Sequence, residues 1–212
     1  MPTVNYTPSL DGNVARVSAN EVWADIIAGA GNASYYEEAF MFVYMATAID
    51  NTKWDRLYRC ILLFDTSALP DDAVIVSATL KVYCWEKLDA LSITPDMNVY
   101  ASTPASDTEL VVADYGECGT TPFAAAIAYG DVVVEDWNTF TFNADGKAAI
   151  SKIGKTKLSL RNANYDVSED VPDWSIQNPS YIGLDTSESA GYEPVLSVVY
   201  ESGFRPQAIM ID

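Results

Sequence analysis

The chain has 212 residues, 49% of them apolar, with 13 Tyr, 7 Phe and 5 Trp, which is material for one large folded domain and not for a disordered chain. With 30 acidic residues against 12 basic ones the formal net charge is −18, a surface that repels nucleic acid and anionic lipid. Histidine is absent, which removes the imidazole base of Ser–His–Asp and Cys–His catalysis and leaves carboxylate chemistry, lysine chemistry, hard-cation binding or no catalysis.

The opening "MPTVNYTPSLDG" has neither the basic nor the apolar region of a signal peptide. The expectation is a protein not exported by that route, one whose signal has been removed, or one that leaves the cell inside an assembled particle. Residues 1–11 read as an N-terminal extension. Strands are expected at Val14–Ser18 and Glu21–Ile27, then a flexible turn at "IIAGAGNA", which lacks the Lys and the helix pattern of a phosphate loop. A further strand is expected at Phe40–Ala46. The apolar run around it, Ala39–Ile49, is about half the roughly 20 residues a membrane span needs.

Arg59–Phe64 is apolar on both faces after its first residue and is expected to lie centrally. Val74–Trp85 alternates: Val74, Val76, Ala78, Leu80, Val82 and Cys84 share one face, and Ile75, Ser77, Thr79, Lys81, Tyr83 and Trp85 share the other. Between them "DTSALPDD" is turn-forming, too long for a tight hairpin and too short for a helical crossover. A connection of that size lets the chain leave one sheet and enter another, so that the two strands face each other across a core instead of pairing. Later strands are expected at Asn98–Ser102, Thr139–Phe142, Lys157–Arg161, Tyr181–Leu184 and Pro194–Tyr200. One short helix is expected at Ala144–Ile153, capped by Asn143 or Asp145 and ended by Gly154. The sum is an all-β antiparallel sandwich of jelly-roll type over residues 12–201, with a C-terminal extension at 202–212. Cys60, Cys84 and Cys118 read as small buried hydrophobes, with a Cys60–Cys84 bridge as the alternative.

The segments "RCILLFDTSALP" and "AVIVSATLKVY", followed by "WNTFTFNADGKAAI", "KLSLR" and a closing "GYEPVLSVVY", resemble the DNRLRE-type domain, which is similar to family-96 carbohydrate-binding modules and disaggregatase-related repeats. The resemblance covers about residues 56–200 and rests on core and turn signatures. It implies a jelly-roll sandwich in surface, secreted or virion-associated proteins, with no sugar-binding residue carried over.

Three places could carry chemistry. In "YDVSEDVPDW", Asp166, Glu169 and Asp170 could hold a structural calcium, because hard cations gather several oxygens. Tyr165 and Trp174 beside them, and Trp137 in the acidic "DVVVEDW", could offer flat apolar faces to a glycan. In the tail "ESGFRPQAIMID", Phe204, Ala208, Ile209, Met210 and Ile211 could insert into a neighbouring copy as an added strand. The main expectation is a non-catalytic extracellular or virion-surface subunit that assembles head to tail into a homopolymer, with no nucleic acid partner, no membrane span and no required cofactor. The alternative is a carbohydrate-binding module for adhesion to cell-surface or other polysaccharide.

Overall fold

The structure, a computed structural model, describes residues 1–202. The tail residues Phe204, Ala208, Ile209, Met210 and Ile211 therefore lie outside the described residues, and so does the expected self-assembly contact. The elements run β1 (Thr3–Tyr6), β2 (Pro8–Arg16), α1 (Trp23–Ala28), β3 (Ala33–Tyr36), β4 (Phe40–Thr47), β5 (Trp54–Asp65), β6 (Val74–Asp89), β7 (Met97–Ala101), β8 (Asp136–Thr141), α2 (Ala144–Ala148), β9 (Lys155–Asn162), β10 (Pro179–Asp185) and β11 (Val195–Glu201).

The apolar run of β5 is the axis of an all-β antiparallel sandwich. Its residues Cys60, Leu62 and Phe64 face one core, with Val99, Leu158 and Leu160 beside them. Across that core stand Met41 and Val43 of β4, Leu80, Val82 and Cys84 of β6, Ile182 and Leu184 of β10, and Leu196 and Val198 of β11. The opposite face of β5, through Leu57, Ile61 and Leu63, meets a second core that includes Val14, Trp23, Ile26, Leu110 and Tyr115. A strand buried on both sides needs an unbroken apolar run, and "CILLF" is one.

One layer is built from β1, β11, β6, β8, β10 and β4, and the other from β3, β2, β5, β9 and β7; the hydrogen-bonded path joins them where β4 meets β5. As the spacer implied, β5 and β6 do not pair but share the first core. Asp65 sets the spacer by accepting from the backbone N–H of Ser67 at 3.1 Å and from its hydroxyl at 2.6 Å.

Several expectations are corrected. Glu21–Ile27 is not a strand. From Trp23 to Ala28 it is helix α1, because Trp23 and Ile26, three apart, bury one helical face in the second core; six residues of mixed apolar pattern do not separate the two periods. The helix capped by Asn143, whose side chain accepts from the Gly146 N–H at 2.9 Å, stops at Ala148, since Ile150 turns into the first core. There are thus two short α-helices among the described residues, not one. Residues 3–6, read as extension, pair with β11 as strand β1, and β2 begins at Pro8. The three cysteines are buried and free, so Cys60 and Cys84 share a core without a bridge. Among the described residues no helix is long and apolar enough to cross a membrane.

Candidate functional site: an aromatic groove on the outer sheet face

Strand alternation decides which side chains face outward. In β4, Met41 and Val43 point into the core, so Phe40, Phe42 and Tyr44 point away from it. In β10, Ile182 and Leu184 point inward, leaving Tyr181 and Gly183 outside. Register then aligns the rings. Tyr44 stands opposite Tyr58 of β5 on one side and opposite Tyr181 on the other. The ring centroids are 5.2 Å apart for Tyr44 and Tyr58, and 5.6 Å apart for Tyr44 and Tyr181, the latter pair stacked. Tyr35 of β3 extends the row, stacked on Tyr58 at 5.7 Å.

The next row is built on an absence. Gly183 lies opposite Phe42, and the register between β10 and β6 shifts there, Gly183 facing Glu86 while Leu184 faces Cys84. The extra β6 residue is Trp85, a bulge that re-aims a side chain. A Cβ on Gly183 would sit 2.8 Å from the indole nitrogen of Trp85 and 3.2 Å from Phe42, so the missing side chain is what lets the indole lie over the strand. Trp85 packs on Phe40 at 4.7 Å and on Phe42 at 6.0 Å, and Phe42 meets Tyr181 at 5.8 Å. Seven aromatic side chains from five strands thus touch in series, those of β4, β6 and β10 on the outer face of their layer and Tyr58 on the same side of β5 as Cys60 and Leu62 but outside the first core; Tyr35 and Phe40 are 40% and 43% exposed.

The surface is concave because β4 peels away from β5. Their ladder covers only Tyr44–Thr47. Beyond it the Asn13 amide replaces the missing strand contact. It accepts from the Phe42 N–H at 2.7 Å and donates to the carbonyls of Phe42 at 2.8 Å and Arg59 at 3.2 Å. A depression of about 280 Å³ opens there between Asn13, Tyr35, Glu38, Phe40, Phe42 and Tyr58. On the other side of the Tyr44–Tyr58 pair lies a second depression of about 450 Å³, lined by groups that include Asn20, Asp55, Arg56, Gln177 and Asn178.

Three of the groove's hydroxyls, those of Tyr44, Tyr58 and Tyr181, are held neutral. Burial, and then the hydrogen bond its hydroxyl donates to Glu86 at 2.6 Å, push Tyr181 up to about 12. Burial raises Tyr44 and Tyr58 as well. The rim carries Glu38, Asp55 and Glu86, and the lining cation Arg56 donates to Asp55 at 3.1 Å.

The residues expected to form sites are scattered. Tyr165 packs against the second core and donates its hydroxyl to the Ile93 carbonyl at 2.7 Å; Trp174 does likewise, donating Nε1 to the Lys53 carbonyl at 2.8 Å. Neither offers a free face in the groove. Of the residues expected to hold calcium, Asp166 is engaged elsewhere. It is buried, with Arg59 donating at 2.6 Å and Arg161 at 2.7 Å, so its oxygens are already taken by two guanidinium groups. Burial alone would raise its pKa, and the two arginines overcome that and hold it down to about 2. Glu169 and Asp170 are exposed on the following segment. Among the described residues no three His, Cys, Asp or Glu side chains converge as a metal site. Trp137 does face outward, on β8 opposite Tyr83.

The groove residues themselves were not singled out from sequence. The signal was "FMFVYM", an outward face made wholly of rings, hidden because its inward face is equally apolar.

No family model matches the chain, and no curated protein matches it. Among solved structures, a xylan-binding module, CBM15, aligns over 93% of this chain and 97% of its own, with a TM-score of 0.40 and 8% sequence identity.

Proposed function

We propose that the protein is a non-catalytic carbohydrate-binding β-sandwich, acting at or outside the cell surface, that holds an uncharged polysaccharide in the aromatic groove. The observation that carries this is the run of seven touching aromatic side chains along the groove. Each such ring has 150–250 Å² to bury. A contiguous apolar patch rimmed by polar groups marks a binding surface.

The chemistry of that surface suits sugars. A pyranose has apolar C–H faces and a perimeter of hydroxyls. The groove answers with rings, neutral phenols and the amides of Asn20, Gln177 and Asn178. Single-stranded nucleic acid also stacks on rings, but it needs cations along its backbone. Here the lining cation, Arg56, is paired with Asp55, and the whole chain carries −18. The same charge disfavours uronates and sulfated glycans.

Titration calorimetry and affinity electrophoresis against neutral, acidic and amino polysaccharides test the reading. Binding should appear with neutral chains and fall about tenfold or more in Phe42→Ala or Tyr44→Ala, with circular dichroism unchanged. Absence of binding to every neutral glycan overturns it.

A further inference from the structure

Resting on the groove reading, we infer that the bound glycan is a linear, uncharged chain of several units, and that Tyr83, Trp137 and Tyr192 form a second contact point for its far end. Tyr83 is two residues from Trp85 on β6, and both point away from the core residues Val82 and Cys84. That spacing puts them on one face about 7 Å apart along the strand. Trp137 is directly opposite Tyr83 on β8, with ring centroids 5.6 Å apart and edge to face. Tyr192, from the connection between β10 and β11, packs on Tyr83 at 4.3 Å and is itself 46% exposed. None of the three belongs to either core, so the fold gives no account of why three large rings gather there. A depression of about 270 Å³ adjoins Trp137, lined also by Asn5, Lys81, Val195 and Ser197.

The two clusters are continuous through β6. From Tyr35 to Trp137 the ring-bearing face crosses β3, β2, β5, β4, β10, β6 and β8. Six steps of about 4.8 Å span at most roughly 29 Å, far more than a disaccharide covers. Burial and then the fields of Tyr192, Glu135, Asp185 and Asp136 raise the Tyr83 phenol, and Lys81 lines the adjoining depression, so at this end the exclusion of acidic chains rests on the net charge of −18.

The test is calorimetry with cello-, xylo- and manno-oligosaccharides from the disaccharide to the octasaccharide. In the series that binds, affinity should climb with length beyond the tetrasaccharide. Trp137→Ala, and independently the loop variant Tyr192→Ala, should lower octasaccharide affinity about tenfold and leave the disaccharide unchanged. Phe42→Ala should weaken every length. Equal affinity for disaccharide and octasaccharide, or a Trp137→Ala loss that is the same at all lengths, overturns the second contact point while leaving the groove. Silence at every length removes both.

Discussion

Two buried aspartates show how little a residue's identity says about its state. Asp166 sits between Arg59 and Arg161 and is held ionised. Asp11 has no cation beside it among the described residues. It accepts from the Ser187 N–H at 2.9 Å and its hydroxyl at 2.9 Å, yet burial dominates and pushes it up to about 7. Between the unfolded value near 4 and the folded value near 7, the native carboxyl holds a proton that the unfolded chain has released. Its contribution to stability is therefore complete at the lower end and is lost as pH rises through that window. Asp11→Asn should flatten this fall in urea-unfolding curves recorded from pH 4 to 8. A slope identical to that of the wild type would show that another group titrates. Sequence placed Asp166 in an acidic cluster and stopped there: Arg59 lies 107 positions away, and Arg161, only five positions away, read as the end of a strand and not as a partner.

At the scale of elements, the legible parts were those where one period dominated. The alternation of β6 correctly set Ala78, Leu80, Val82 and Cys84 inward and Tyr83 and Trp85 outward, but Val74 and Val76, read on the same inward face, are exposed, and Ile75 packs on the core instead. The double-sided apolarity of β5 correctly made it central, and the spacer between them correctly kept them unpaired. Where two periods fit equally well, as at Trp23–Ala28, tertiary burial decided and sequence could not. The bulge at Trp85 was invisible for a similar reason: it exists only in the register of β6 against β10. Its functional weight falls on Gly183, whose Cβ would lie 2.8 Å from the indole. In Gly183→Ala the flexible partner is the Trp85 ring, which should tilt off the strand with little effect on the fold. The expected result is a shifted tryptophan emission and glycan affinity reduced about tenfold, with the melting temperature changed by only a few degrees. Unaltered affinity would mean that Trp85 does not contact the ligand.

The molecule as a whole carries −18, while the rings that line its groove and its second aromatic cluster are themselves uncharged. These two facts separate the salt dependence of stability from that of binding. Like charges spread over one compact chain repel one another, and added salt shortens their reach from about 30 Å at 0.01 M to about 8 Å at 0.15 M. Thermal stability should therefore rise over that range. A ligand with no charge displaces no counterions and feels no long-range field, so its affinity should stay within about twofold across the same change. The paired measurement, melting temperature and calorimetric affinity in one salt series, tests both halves at once. An affinity that strengthens steeply with salt would mean that the natural ligand is an anion held against the protein's own field. An affinity that weakens with salt would mean a cationic one, such as an amino sugar polymer drawn to Glu38, Asp55 and Glu86. In either case the aromatic groove would stand and its assignment to neutral chains would fall.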